Sequence, residues 1–424
     1  MSTGTRASSR YSGAAEVTMR TSAIDLLAPD VVADPHPAFH ELRAAGGPVW
    51  LERHRAWFLA DHSAVHDGFR DTRLSSDRLT PLEARLTPDR RRTLERTIEL
   101  LRGWMVFHDP PDHGRLREPL RRAFTPARVA ALRPRIVEIV GELLDEFADR
   151  PAPDLVSDVA FPLPAIVIAE LLGVPASDRE DFKHWSDQLS ALVFGTADRS
   201  GKADTAAAGS ERFSAYFADL IEHYRQHPAD NLVSALIDVT RDDPESAGLS
   251  PSELVGACTL LLFGGHETTT TLITNSMRSL MAHPDLLERL HRNPDEVPVA
   301  MEELHRYDGS TKLMVRVVGE SHVAAGEDLE RGQTVFLGVM AANRDPAVFD
   351  EPDRLDLDRT NARSHIGFGY GIHFCLGAAL ARLEVEIALD ALVRRFPTIH
   401  CDPARVVFPS TLLSRSVTSV PVSL

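Results

Sequence analysis

Apolar residues recur at three- and four-residue intervals over residues 128–147, 165–172, 211–225, 251–282 and 377–395, a spacing that gathers them on one face of an α-helix. Strand-like runs are shorter, at 48–59, 315–318, 322–323 and 334–338, each bounded by glycine or charged turns. Loop-like composition fills 75–88, 196–209 and 242–250, and a Pro/Asp-rich meander occupies 346–364. The pattern predicts a mainly α fold with a small β region and no internal repeats.

The helix predicted over 251–282 opens with Ser250 as N-cap, Pro251 at its first position and Glu253 completing an S-x-x-E capping box. About thirty residues at 1.5 Å each give roughly 45 Å, enough to cross the whole molecule. Its middle is poorly made. Gly264 and Gly265 each cost on the order of 1 kcal/mol relative to alanine, and the run Thr268 to Thr271 adds β-branched side chains. Helix stability has yielded there to another requirement, since small residues let a flat ligand approach the backbone with an acid and a hydroxyl beside it.

Composition narrows the setting. Of 424 residues, 62 are acidic and 46 basic, a formal charge of −16 that disfavours nucleic acid and anionic membranes as partners. No run approaches the length of a membrane span and no short apolar core marks a signal peptide, so a cytoplasmic location is expected. Cys258, Cys375 and Cys401 are too few and too scattered for a disulfide framework or a zinc site, which suits a reducing compartment. Residues 1–22 read as a disordered tail. The candidate functional residues spread from His113 to Cys375, so 23–424 is expected to be a single domain.

The richest chemistry lies in Phe368-Gly369-Tyr370-Gly371-Ile372-His373-Phe374-Cys375-Leu376-Gly377. A single thiol stands on a glycine-bent loop running into a helix, where the helix N-terminus favours a thiolate, Gly371 and Gly377 permit tight turns, and Phe368 can cover the sulfur. Phe368, Gly371, Cys375 and Gly377 match the haem-ligand loop of the cytochrome P-450 family, which this chain resembles. The resemblance extends to Gly264-Gly265-His266-Glu267-Thr268-Thr269, to the E-x-x-R pair Glu303 and Arg306, and to Asp109-Pro110-Pro111-Asp112-His113, in the family's order over about residues 23–424.

The resemblance implies a triangular prism of helices around a buried haem b with Cys375 as axial thiolate. It implies that Thr268 and Glu267 manage proton delivery to dioxygen beside Gly264 and Gly265. His113, Arg117, Arg316 and His373 would then bind the haem propionates, and Arg354 would join Glu303 and Arg306 in a buried structural network. The implied activity is a monooxygenase acting on a bulky small molecule in bacterial secondary metabolism, with electrons passing from NAD(P)H through ferredoxin reductase to ferredoxin. Arg115, Arg121, Arg122 and Arg382 are candidates for the docking face. The same residues would serve oxidative C-C or C-N coupling or cyclisation, and a haem sensor or electron carrier would need Cys375 but not the Glu267-Thr268 pair. Pocket candidates are Leu192, Leu261, Thr311, Lys312 and Leu412. Two departures stand out: Ser310 where the family commonly has proline, leaving Lys312 close to the substrate, and Pro119, expected to kink the helix after Arg117.

Overall fold

The structure is a computed structural model, which describes residues 19–178, 184–185, 188–189, 193, 202–241 and 248–424. The helices that frame the site are α1 (Pro88–Arg102), α2 (Asp112–Ala123), α3 (Arg133–Ala148), α4 (Pro162–Leu172), α5 (Lys202–Gln226), α6 (Pro251–Met281), α7 (Val297–Tyr307) and α8 (Ala378–Arg395). A mixed sheet lies to one side. It has the strand order β1-β2-β3-β6-β5-β4, with β1 (Thr21–Ser22), β2 (Val49–Leu51), β3 (Ala56–Leu59), β4 (Leu74–Ser75), β5 (Met314–Val318) and β6 (Thr334–Leu337). The expected tail ends earlier than residue 22, because Thr21 and Ser22 pair in parallel with Trp50 and Leu51.

Helix α6 is buried on most of its circumference from Leu254 to Met281, as befits an element enclosed by α4, α5 and α8. Its capping box forms: Glu253 N–H donates to Ser250 Oγ at 3.3 Å and Ser250 N–H to Glu253 Oε2 at 2.8 Å. Arg115 also binds that carboxylate, at 2.6 Å, and holds it down near 2. The helix continues unbroken through Gly264 and the threonine run, because neighbouring helices supply the packing that local propensity lacks.

Several boundaries differ from the sequence reading for identifiable reasons. The helix expected over 128–147 divides into Pro126–Ala131 and α3, since Pro134 has no N–H with which to continue the ladder. The 75–88 loop contains the helix Leu79–Arg85, and α1 follows it. In α1 a dense set of arginines masks a buried stripe of Leu94, Ile98 and Leu101 that packs toward α5. Helix α5 itself starts at Lys202, inside the expected 196–209 loop, where alanines form helix without hydropathy contrast. Helix α2 runs past Pro119 to Ala123 rather than ending early.

A buried ion network anchors α7 to the meander. Arg306 donates to both oxygens of Glu303, at 2.7 and 2.8 Å, and to the carbonyls of Asn343 and Pro352 at 2.9 and 2.8 Å. The third member is Arg359, whose Nε donates to Glu303 Oε1 at 3.1 Å, and not Arg354 as the sequence suggested. Arg354 offers only its carbonyl to Arg306; its side chain is 60% exposed and pairs with Glu351 and Asp356. Glu303 already accepts from Arg306, Arg359 and the Asp356 N–H, so its oxygens need no further cation. Removing a buried partner strands a charge, whereas removing an exposed one does not. Arg359→Ala should therefore cost about 3–5 kcal/mol and Arg354→Ala less than about 1 kcal/mol, measured by urea unfolding; equal losses would contradict this assignment.

Candidate active site

The thiol loop owes its shape to two glycines in the left-handed region, Gly369 at φ +72° and Gly371 at φ +70°. Gly377, by contrast, has an ordinary negative φ and serves as the N-cap of α8, so its expected turn role moves to Gly369. Cys375 N–H donates to the Phe368 carbonyl at 2.9 Å, closing the loop, and Arg117 Nη2 donates to the Phe374 carbonyl at 2.6 Å, tying the loop to α2. Behind it, Phe368 is held edge-on by His305, with ring centroids 4.5 Å apart, and is covered by the Arg382 guanidinium at 4.3 Å. Arg382 is in turn fixed by Glu302, which also binds His365 at 3.0 Å.

Cys375 opens onto a cavity lined by Met105, Val106, Phe124, Ile168, Leu260 and Leu261 along with the polar groups described below. Enclosure pushes the thiol pKa up, opposed by a hydrogen bond from the Gly377 backbone and by the charges of Arg117 and Arg382. Coordination to a metal would override that balance, because a ligating thiol is deprotonated outright.

Across the cavity stands the soft middle of α6. A Cβ on Gly264 would meet no atom within 4 Å, so this residue leaves the cavity wall flat. A Cβ on Gly265 would lie 3.0 Å from Ile168 Cγ1, so Gly265 allows close approach of α4. Thr268 lines the cavity and donates its hydroxyl to the Gly264 carbonyl at 3.1 Å. That is the usual bond of a helical threonine, and it leaves the oxygen lone pairs free to accept. Glu267 is half-buried one residue earlier, and its carbonyl accepts from Thr271 at 2.9 Å.

Positive and imidazole groups collect around the Cys-loop end of the cavity. His113 and His373 lie with ring centroids 4.2 Å apart, and His373 Nε2 meets Ser76 Oγ at 2.9 Å. Arg316 is buried beside them, with Nη1 on its neighbour's carbonyl at 3.0 Å. Arg78, which the sequence reading missed, lies over the Phe107 ring at 4.8 Å. Among the described residues none of Arg78, Arg117 and Arg316 forms an ion pair, and His113 Nε2 is buried without a hydrogen-bond partner. Burial first, then the surrounding cations, depress His373 to about 3, while Arg78 and Arg316 fall to about 10. Nothing in the local sequence marks Arg78; only the turn after β4 brings it here.

The remaining pocket candidates divide. Leu261 lines the cavity. Lys312 does not: it is 4% exposed and its ammonium donates to the Thr411 carbonyl. Thr311 bridges to Ser414, and Leu412 packs in the apolar cluster beside the sheet. The cause is the C-terminal segment, which pairs along 310–313 through Arg415 N–H to the Ser310 carbonyl and Lys312 N–H to the Leu413 carbonyl, both 2.8 Å. These bonds supply the rigidity that Ser310 forgoes in place of proline. Leu192 lies outside the described residues. Trp104 is a core residue, donating to Thr259 Oγ1 at 3.0 Å.

Known proteins resemble this chain over most of its length. The family described as Cytochrome P450 matches residues 86–298 and 297–415. Vitamin D(3) 25-hydroxylase of Pseudonocardia autotrophica is 38% identical over 419 residues, covering 96% of this chain and 98% of the relative. 6-deoxyerythronolide B hydroxylase of Saccharopolyspora erythraea is 36% identical, covering 95% and 99%. Among solved structures, myxobacterial cytochrome P450 CYP267B1 in complex with myristic acid superposes with a TM-score of 0.84 at 38% identity, over 94% of this chain and 98% of that one. P450BioI in complex with a fatty-acyl-ligated acyl carrier protein gives 0.84 at 32%, over 94% and 100%.

Two tests follow from the geometry. Gly264→Ala should stabilise the cofactor-free chain by about 1 kcal/mol, because it restores helix propensity without meeting any atom, while Gly265→Ala, forced against Ile168, should not; thermal unfolding distinguishes them. Burial, then the Arg415 charge, lower Lys312 from its usual 10.5 to about 8. Between those pH values the unfolded chain retains a proton that the folded chain has lost, so stability rises with pH across the window. Lys312→Met should be more stable than the wild type below pH 8 by roughly 1–3 kcal/mol, with the difference closing toward pH 10.5 in urea titrations.

Proposed function

We propose that this chain, which belongs to the cytochrome P450 family and is a haem-thiolate monooxygenase, binds its haem iron through Cys375 and activates dioxygen beneath Gly264 and Thr268 of α6. The carrying observation is the pairing of one cavity-facing thiol with a flat, glycine-lined helix wall across the same space. The remaining residues fit the cofactor. Two carboxylates on one edge of a flat apolar ring suit a cavity whose Cys-loop end gathers Arg78, Arg117 and Arg316, which have no partner acids among the described residues, beside His113 Nε2, likewise unsatisfied among them. The apolar walls suit the ring itself.

When bound, haem supplies the iron at which dioxygen, reduced by two electrons, inserts one oxygen atom into a substrate. The protein controls access and protons. Arg117 keeps the Cys375 loop on α2, and Phe368 shields the sulfur side. Thr268 Oγ1, its own hydrogen engaged by Gly264, orients a water by accepting from it, and Glu267 supplies protons to that water from outside the cavity. Leu260, Leu261, Val106 and Ile168 exclude bulk water and present a hydrophobic surface to substrate.

The substrate class is a bulky, largely apolar small molecule of bacterial secondary metabolism, in keeping with relatives named as a vitamin D(3) 25-hydroxylase and a 6-deoxyerythronolide B hydroxylase. The electrons come from a ferredoxin, reduced through its NAD(P)H-dependent reductase, in a cytoplasmic setting. Among the described residues no helix is long and apolar enough to cross a membrane. The docking face centres on the exposed apolar side chains Tyr370 and Ile372 of the Cys loop. Among the candidate cations Arg115, Arg121 and Arg382 are paired with Glu253, Glu118 and Glu302, and Arg363, 79% exposed, lies 3.7 Å from Glu302.

Cys375→Ser should abolish the thiolate-type absorption of the reduced carbonyl complex; its persistence would refute the ligand assignment. Thr268→Ala should keep that spectrum yet lower product formation on the order of 100-fold, with electrons lost to hydrogen peroxide, measured with a reconstituted ferredoxin system.

A further inference from the structure

Two histidines stand one turn apart at the end of α5, and the reaction described above makes no use of them. His223 lies in the last helical turn, His227 directly follows Gln226, and both are exposed. Residues four apart on a helix are neighbours, and here the ring centroids are 4.9 Å apart with the ring planes 26° from parallel. His227 Nδ1 meets the His223 carbonyl at 3.2 Å. A carbonyl can only accept, so Nδ1 carries the proton and Nε2 keeps a lone pair. A hydrogen bond of this kind, from the second ring nitrogen to a backbone carbonyl, is what orients metal-binding imidazoles. His223 makes no hydrogen bond through its ring among the described residues.

The separation can be tested against coordination geometry. An imidazole nitrogen lies about 2.0–2.1 Å from a transition-metal ion, which puts the ion about 3.2 Å from the ring centre. Two rings about 90–110° apart around one ion then have centres about 4.5–5.2 Å apart. The His223–His227 pair falls inside that range. A second pair with the same spacing, His62 and His66 on the helix His62–Arg70, does not, at 6.4 Å. Its nitrogens are also engaged, His62 Nε2 with the Ser364 carbonyl at 3.0 Å and His66 Nδ1 with Asp67 at 3.3 Å. Among the described residues no group of three or more metal-ligating side chains occurs, so water would complete the coordination and the site would be open and exchangeable. The formal charge of −16 favours approach of a cation.

We propose that His223 and His227 together bind one divalent transition-metal ion of the class that imidazole prefers, such as nickel, copper or zinc, and that the ion clamps the last turn of α5. The clamp acts at a junction. Tyr224, which lies between the two ligands in sequence, donates its hydroxyl to the Gly173 carbonyl at 2.5 Å, and Gly173 terminates α4, whose Ile168 lines the cavity. Neither histidine lines that cavity, so the site stands independently of the haem-thiolate reading.

Calorimetric titration of the untagged holoenzyme with nickel chloride should show one ion bound per chain. Binding should tighten from cobalt to nickel to copper and weaken as the pH is lowered, because protons compete for the imidazoles. His223→Ala and His227→Ala should each weaken nickel binding by at least about tenfold with haem content unchanged, whereas His62→Ala should bind nickel like the wild type. In the wild-type protein nickel should also slow amide hydrogen exchange over the last turn of α5 and leave the helix His62–Arg70 unaffected, a readout that needs no variant. Absence of saturable nickel binding to the wild type, unchanged binding in both α5 variants, or protection confined to another part of the chain would each overturn the assignment.

Discussion

The carboxylate of Glu303 is the constraint on which the approach to the site depends. It is 1% exposed, and an ion taken that far from water is tolerable only when its lone pairs are fully occupied. Arg306 and Arg359 supply the charge and the Asp356 N–H supplies a further donor. Because Arg359 and the carbonyls bound by Arg306 belong to the irregular segment before the Cys loop, satisfying one acid on α7 fixes the path of a stretch with little backbone ladder of its own. Glu302, the preceding residue, extends the same logic to His365 and Arg382, and Arg382 covers the ring that backs the thiol. Two adjacent acids on one helix thereby set the loop from both sides.

The Cys-loop end of the cavity inverts this arrangement. There Arg78 and Arg316 are enclosed with no carboxylate paired to them among the described residues, and their lowered pKa values record what enclosure costs. Asp109, the nearby acid, is engaged by Ser75 and by the Ser76 backbone. A folded chain that gathers uncompensated cations beside a thiol leaves part of its electrostatics to be completed by an anionic ligand. The stability of this region is consequently coupled to cofactor binding in a way that the region around Glu303 is not.

Motifs that combine a local signal with a functional residue were legible in the sequence. The capping box of Ser250 and Glu253, the weakened centre of α6 and the glycine-bent thiol loop all occur where their spacing predicted, because each is determined by residues a few positions apart. What was lost depends on long-range placement. Arg354 and Arg359 sit in the same irregular segment, and no periodicity tells which of them turns inward; the choice is made by where Glu303 arrives. Lys312 reads as a pocket cation until the C-terminal strand-like segment covers it, and Arg78 has no motif at all. Helix α1 escaped notice because its arginines and acids dilute an apolar stripe that only α5 reveals as buried.

The middle of α6 shows why local rules fail where chemistry is placed. Gly264 contributes nothing to packing, and an alanine there would find open space, so its retention cannot be explained by the fold. Gly265 is explained by the fold, because Ile168 approaches where its side chain would be. Two neighbouring glycines with the same propensity penalty thus have different causes, one steric within the protein and one outside it. The penalty at Gly264 leaves the cavity wall flat, as the proposed haem site requires, and the long, well-capped and nearly fully buried helix is what allows that penalty to be carried without the ladder breaking.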